Sequence, residues 1–273
     1  MSKVTMSDVA LEAQVNKATV SRALKGDPRI SSITREKVWE AAKRLGYRID
    51  TVAQGLSSKK TSLVGVVMGD LKAPWAGAFL SGVERVLSRY RMEMIVKEAD
   101  GVHASGEAVF QRLVDRKVEG IIWNANVPFL TALEVPLVTV GEGSQVFSMK
   151  VVHDVKAVSE RVLSLAGKRS IRYFSGDSPL FKYLFDLERD GEGLLSIYDG
   201  VMPPLSSDVR DILLCSDPVL SGETGCTCLD WGVFDAGGVG ARCIVNLVRG
   251  KGVRPKEVYL SPSMYVSGER ISH

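Results

Sequence analysis

Apolar positions in the first sixty residues recur at helical spacing in three short runs. In the first run Met6, Val9, Ala10 and Ala13 fall on one face. Thr5, with Asp8 three residues on, suits a capping pair at its start. Gln14-Val15-Asn16 interrupts the run, and Asn16 is a favourable N-cap for a second helix. There Val20, Ala23 and Leu24 share one face, while Lys17, Ala18, Ser21, Arg22 and Lys25 project from the other. A third helix, capped by Ser31 or Ser32, is expected to pack through Ile33, Val38, Ala41, Ala42 and Leu45, with Gly46 as its C-terminal cap.

Past a polar linker at 57–61 the rhythm changes. Strand-like runs at 63–68, 93–97, 120–123, 137–140, 149–153 and 171–175 alternate with helical patterns at 75–90, 105–116 and 155–166. This alternation predicts a doubly wound parallel sheet of the α/β class. From 178 to 231 the pattern is short and irregular, with strand-like 194–198 and 212–215. It recovers as a helix at 239–249 and strands at 257–262 and 264–267. The expected organisation is an all-α head (1–49), a hinge and linker (50–60) and an α/β body (61–273), with lobes of about 61–150 and 151–273. Gly237-Gly238-Val239-Gly240 follows no clear strand and lacks the Lys-Ser/Thr ending of a phosphate loop, so it reads as a glycine-rich lead into the last helix.

Charge separates the two parts. Residues 1–60 hold 12 Lys and Arg against 6 Asp and Glu, a net +6. The whole chain carries 35 against 32, a net +3, so residues 61–273 carry −3. A basic helical head on a slightly acidic body is the footprint of phosphate binding by the head. A polar outer face on the second of two short helices suits entry into a DNA major groove.

Other chemistry finds little support. Met1-Ser2-Lys3 leads straight into a capped helix with no signal peptide, and no apolar run approaches a membrane span, so a cytoplasmic protein is expected. Cys215, Cys226, Cys228 and Cys243 lack paired CxxC spacing, which favours buried thiols over zinc or disulfides in that compartment. His103, His153 and His273 are scattered. Neither a catalytic constellation nor a metal or cofactor is expected.

Val4-Thr5-x-x-Asp8-Val9-Ala10, Val15-x-x-x-Thr19-Val20-Ser21-Arg22, Thr34-Arg35-Glu36-Lys37-Val38, Leu45-Gly46-Tyr47 and Ala53-x-x-Leu56 together resemble the head of the lactose-repressor (LacI/GalR) family. The resemblance implies a transcriptional regulator, most often a repressor, that binds double-stranded operator DNA as a homodimer. It puts Lys17, Ala18 and Arg22 where the family reads bases. Thr5, Thr19, Ser21, Lys25, Ser31, Thr34 and Tyr47 fall where it grips phosphates, and Arg29 falls in a loop that also touches DNA. The family's hinge, here with Val52, Ala53 and Leu56, folds on the operator, and its Leu wedges into the minor groove. Asp50 and Gly55 work against such a hinge, since Gly costs about 1 kcal/mol against Ala in a helix.

The family's body resembles periplasmic sugar-binding proteins and holds a sugar or nucleobase effector between two lobes. Asp70, Trp75 and Asp217 fall nearest to that role, but the family's Arg early in the second lobe is missing, and the second lobe reads as shortened. Two alternatives stay open. One is a regulator that has lost its effector and acts constitutively or through a protein partner. The other is a cytosolic α/β solute-binding protein whose basic head is incidental.

Overall fold

The computed structural model describes residues 4–24, 26–47, 61–101, 105–127, 133–141, 147–174, 190–199, 211–215, 223–224, 226–252, 256–266 and 269–271. The chain divides into two compact units, Met1–Lys60 and Thr61–His273.

Among its described residues the first unit holds three helices, α1 (Met6–Glu12), α2 (Lys17–Leu24) and α3 (Ser32–Arg44). Each helix is too short to stand alone in water, so a shared core holds them. That core is Val9, Ala10, Ala13, Val20, Ala23, Leu24, Val38, Ala41 and Ala42, with Met6, Val15, Leu45 and Tyr47 packed against it. Ile33 is not part of it; at 78% exposure it faces solvent. The inward stripe of α3 runs through Val38, Ala41 and Ala42, and Ile33 lies on the far side of the helix from it.

All three helices end in the same way. The first residue past each cap is left-handed: Gln14 at φ 50°, Gly26 at φ 72° and Gly46 at φ 66°. The amide of that residue and the one after it then reach back to the last turn. Gln14 and Val15 donate to Leu11 and Ala10, Gly26 and Asp27 to Ala23 and Arg22, and Gly46 and Tyr47 to Lys43 and Ala42. This paired pattern satisfies carbonyls that a helix end leaves open and sets the exit direction of the chain.

Among the described residues the body holds two six-stranded sheets. The first contains β1 (Leu63–Met68), β2 (Glu93–Glu98), β3 (Gly120–Asn124), β4 (Leu137–Val140) and β5 (Met149–His153). The second begins with β6 (Ser170–Phe174), β7 (Leu194–Asp199), β8 (Ile212–Cys215) and β9 (Thr227–Asp230). The chain then returns. β10 (Glu257–Leu260) pairs in parallel with β5, giving the order β10-β5-β4-β3-β1-β2. β11 (Ser263–Val266) and β12 (Glu269–Ile271) extend the second sheet in the order β12-β11-β9-β8-β7-β6. The first sheet is wholly parallel, as the βαβ rhythm predicts. The second is parallel through β9 and antiparallel beyond it.

Helices cover both faces of the first sheet. Val64, Val66 and Met68 of β1 point to a core with α4 (Ala76–Leu87) and α7 (Val233–Val248). Val67 points the other way, to a core with α5 (Gly106–Asp115). A strand buried on both faces is why β1 reads as an unbroken apolar run. α6 (Val155–Ala166) joins the two sheets, and its Val158, Val162 and Ala166 share one core with Ile171, Leu195 and Ile197.

The glycine run has a different role from a lead into a helix. α7 starts six residues before the expected 239, and Gly237, Gly238 and Gly240 lie inside it. A Cβ on Gly237 would collide with the backbone carbonyl of Phe79, and one on Gly82 with that of Phe234. These two glycines let α4 and α7 pack backbone to backbone.

The cysteines also depart from the expectation of free thiols. Cys226 and Cys243 are buried thiols, but Cys228 is disulfide-bonded. The expectation rested on cellular compartment, whereas a disulfide depends on which strands lie side by side. Among the described residues, no group of His, Cys, Asp and Glu is placed to hold a metal, and no helix is long and apolar enough to cross a membrane.

Candidate functional site

The outer face of α2 is built from its first residue. Asn16 Oδ1 accepts from the Thr19 backbone N–H at 2.7 Å, which caps the helix. Val20, Ala23 and Leu24 are drawn into the head core. Lys17, Ala18 and Arg22 are thereby left fully on the exposed side, with Ser21 and Thr19 half-buried beside them.

The flanking groups come from the helix ends. The Asp8 carboxylate accepts from both the N–H and the hydroxyl of Thr5, each at 2.8 Å, which commits the Thr5 hydroxyl proton to Asp8. Those bonds, the backbone one first, hold the Asp8 carboxyl below its usual range. Ser31 Oγ accepts from the Thr34 N–H at 3.2 Å and lies 2.8 Å from the Thr34 hydroxyl. Ser31 is thus the cap of α3. Tyr47 packs half-buried against the core just past α3.

The loop between α2 and α3 is stapled by Asp27. Its carboxylate takes the Arg29 guanidinium in a two-point clamp, from Nε at 2.9 Å and Nη2 at 2.7 Å, and also accepts from the Arg29 backbone N–H at 3.0 Å. The Arg29 side-chain bond first, and its backbone bond next, hold the Asp27 carboxyl far below the usual carboxylate range, and the charge of Arg22 adds to this. Arg35 Nη2 ties the far side of the loop through the Ile30 carbonyl at 3.2 Å. Arg29, expected in a DNA-touching loop, is engaged by Asp27 two residues earlier. The Asp-x-Arg spacing was the available signal.

Thr5, Lys17, Ala18, Thr19, Ser21, Arg22, Arg29, Ser31, Thr34 and Tyr47 therefore lie in one small unit, on or beside the ends of α1, α2 and α3. Lys25, Val52, Ala53 and Leu56 lie outside the described residues, as do Asp50 and Gly55.

Of the three residues expected near an effector, Asp70 and Trp75 are described. Asp70 is exposed, and its Oδ1 accepts from the Lys72 N–H at 2.7 Å in its own turn. Asp217 lies outside the described residues. Trp75 sits at the start of α4, edge-on to Trp231 with ring centroids 6.1 Å apart. Its indole Nε1 is buried without a hydrogen-bond partner among the described residues. Trp231 in turn meets His153 edge-on at 4.6 Å. His153 Nδ1 lies 2.9 Å from the Trp231 carbonyl oxygen and, facing an acceptor, carries the ring proton. Burial pushes the His153 pKa down to about 4, against the opposing pull of that bond. Only the fold brings Trp231 against Trp75 and His153 against Trp231.

Residues 5–50 match the family described as "Bacterial regulatory proteins, lacI family". Catabolite control protein A of Staphylococcus xylosus is 31% identical over 185 residues, covering 64% of this chain and 56% of that protein. Its counterpart in Priestia megaterium is 33% identical over 184 residues, covering 63% and 55%. The HTH-type transcriptional regulator pepR1 of Lactobacillus delbrueckii subsp. lactis is 31% identical over 219 residues, covering 72% and 65%. The chain thus spans little more than half the length of the first two and just under two thirds of the third. Among solved structures, a lac repressor dimer bound to operator and the anti-inducer ONPF has the same fold, with a TM-score of 0.72 at 19% identity over 98% of both chains. A periplasmic binding protein/LacI transcriptional regulator of Alkaliphilus metalliredigens, complexed with D-xylulofuranose, matches at a TM-score of 0.55 and 14% identity, over 77% of this chain and 98% of that one. The match over residues 5–50 places that segment in the lacI family of bacterial regulatory proteins, and the α/β body of two sheets shares its fold with the lac repressor.

Proposed function

We propose that the protein is a sequence-specific DNA-binding transcriptional regulator that binds a pseudo-palindromic operator as a homodimer and represses from it. The observation that carries this reading is the outer face of α2, where Lys17, Ala18 and Arg22 stand exposed while Val20, Ala23 and Leu24 anchor the helix. Lys17 and Arg22 supply donors for base edges, and Ala18 supplies an apolar contact for a thymine methyl. Thr5, Thr19, Ser21, Ser31, Thr34 and Tyr47 are proposed as phosphate contacts, joined by Lys25, and such contacts fix register without reading sequence. Val52, Ala53 and Leu56 complete the interface as the hinge. The work is binding, not catalysis, and its place is the cytoplasm, where the DNA is.

The body is proposed to couple this head to a small sugar-like or nucleobase effector. Trp75 follows β1, His153 ends β5 and Trp231 follows β9, so the aromatic trio gathers at the C-terminal ends of parallel strands. Open α/β sheets bind ligands at that edge, and an indole face suits a sugar ring. Asp70 and Asp217 are the polar groups proposed to join them.

In vitro selection from random duplexes tests the DNA reading. The expected product is a palindrome whose half-sites lie about one helical turn apart. Salt-sensitive binding with no enriched sequence overturns it. Calorimetry against a sugar and nucleobase panel tests the effector, and a panel without saturable heat removes it.

A further inference from the structure

The loop from Gly26 to Ser31 carries an acid where a phosphate-binding surface has most to lose from one. Asp27 directly follows the left-handed Gly26, and its backbone N–H donates to the Arg22 carbonyl at 3.0 Å. The last turn of α2, with a proposed base-reading residue, therefore fixes the Asp27 backbone. From there the carboxylate reaches Arg29 rather than water: its side chain is 15% exposed, whereas that of Arg29 is 75% exposed. Nε and one Nη2 proton of Arg29 are consumed by the clamp. A bidentate guanidinium–carboxylate pair uses the same fork that would grip a phosphate. The acid also lies within electrostatic reach of Arg22.

We propose that Asp27 is a tethered competitor for DNA phosphate, holding Arg29 so that this cation does not add to sequence-independent binding. The inference rests on the head being a DNA reader, and it assigns that reader a selectivity-setting residue. Its physical logic is one of cation count. Sequence-independent affinity comes almost wholly from phosphates neutralised by Lys and Arg, and each one adds about 0.9 to the salt slope. A regulator faces a vast excess of such sites, so a restrained cation limits its loss to them. Discrimination built by opposing the wrong partner is as effective as added attraction to the right one.

The test uses the full chain and four proteins: wild type, Asp27→Asn, Arg29→Ala and the double variant. Asn keeps the Oδ1 acceptor for the Arg29 N–H and removes only the charge, so the loop is retained. Each protein is titrated by fluorescence anisotropy against a shuffled duplex and a selected duplex over a range of salt. Asp27→Asn is expected to bind the shuffled duplex several-fold more tightly at low salt, with a slope steeper by about 0.9. In the Arg29→Ala background the same change is expected to have no effect. Unchanged or weaker binding by Asp27→Asn, or a gain that persists without Arg29, overturns the proposal. A wild-type protein that does not distinguish the two duplexes contradicts the DNA-reading function itself, a separate outcome from either of these.

Discussion

Asn16 Oδ1 accepts the Thr19 backbone N–H at 2.7 Å, and the helix that begins there carries Lys17, Ala18 and Arg22 outward. The cap thus orients the proposed reading face. Replacing an Asn cap with Ala costs about 1 kcal/mol. Asn16→Ala is expected to speed hydrogen exchange at α2 amides about fivefold, by the same energy, and to leave the body unchanged. Equal protection in the two proteins shows that packing alone starts the helix.

Gln14 occupies the left-handed position that closes α1, at φ 50°. An L-residue with a Cβ is disfavoured there by about 1–2 kcal/mol, while glycine adds back roughly 0.4–1 kcal/mol of unfolded-state entropy. Gln14→Gly is expected to stabilise the head by about 0.5–1 kcal/mol in urea denaturation followed by a head-specific probe. Destabilisation instead assigns the Gln14 side chain a contact that outweighs its backbone strain.

Neighbouring glycines in α7 are expected to respond in opposite directions. A Cβ on Gly237 meets the Phe79 carbonyl, which is backbone and cannot swing aside, whereas one on Gly238 finds its nearest neighbour, the Gly82 carbonyl oxygen, at 3.5 Å. Gly237→Ala is expected to destabilise the body by about 1–3 kcal/mol through overpacking. Gly238→Ala is expected to be neutral or to stabilise by up to about 1 kcal/mol through helix propensity. Thermal unfolding of both variants decides it, and similar shifts contradict the backbone contact.

The buried His153 gives the body an acid-side weakness. Its pKa is about 4 in the folded chain, below the ordinary value of 6.5. The unfolded chain therefore binds the proton more readily. The contribution of neutral His153 is complete above pH 6.5 and is lost as pH falls from there toward 4, by up to roughly 3 kcal/mol. Urea midpoints at pH 7.5 and pH 5 are expected to differ, and His153→Gln is expected to remove that share of the difference. The same pH dependence in the variant assigns it to other groups.

Much of this molecule was legible in its sequence where local chemistry decides the outcome. Thr5 with Asp8, Asn16, Ser31 and Gly46 announce helix ends through groups only a few residues apart, and each does so in the fold. β1 shows itself as an apolar run because both its faces are covered. The misses occur where a partner distant in sequence decides. Ile33 falls outside the α3 stripe because Val38, Ala41 and Ala42 set which side faces α1 and α2. Gly237 is a glycine inside a helix because the carbonyl of Phe79, some 160 residues earlier in the chain, leaves no room for a Cβ. β9 is only the four residues Thr-Cys-Leu-Asp and shows itself only once β8 and β11 flank it. The site divides in the same way. The outward residues of α2 follow from periodicity, whereas the grouping of Trp75, Trp231 and His153 requires the return of the chain across two sheets.

The most direct test of the account is Arg22→Ala, titrated in parallel against a selected operator and a shuffled duplex. An Arg that reads a guanine edge is expected to lose about 1–3 kcal/mol on the operator, with tolerance for other bases at that position, and to lose little on the shuffled duplex. An equal loss on both would show that α2 touches only phosphate, and the claim that this face reads sequence would be contradicted.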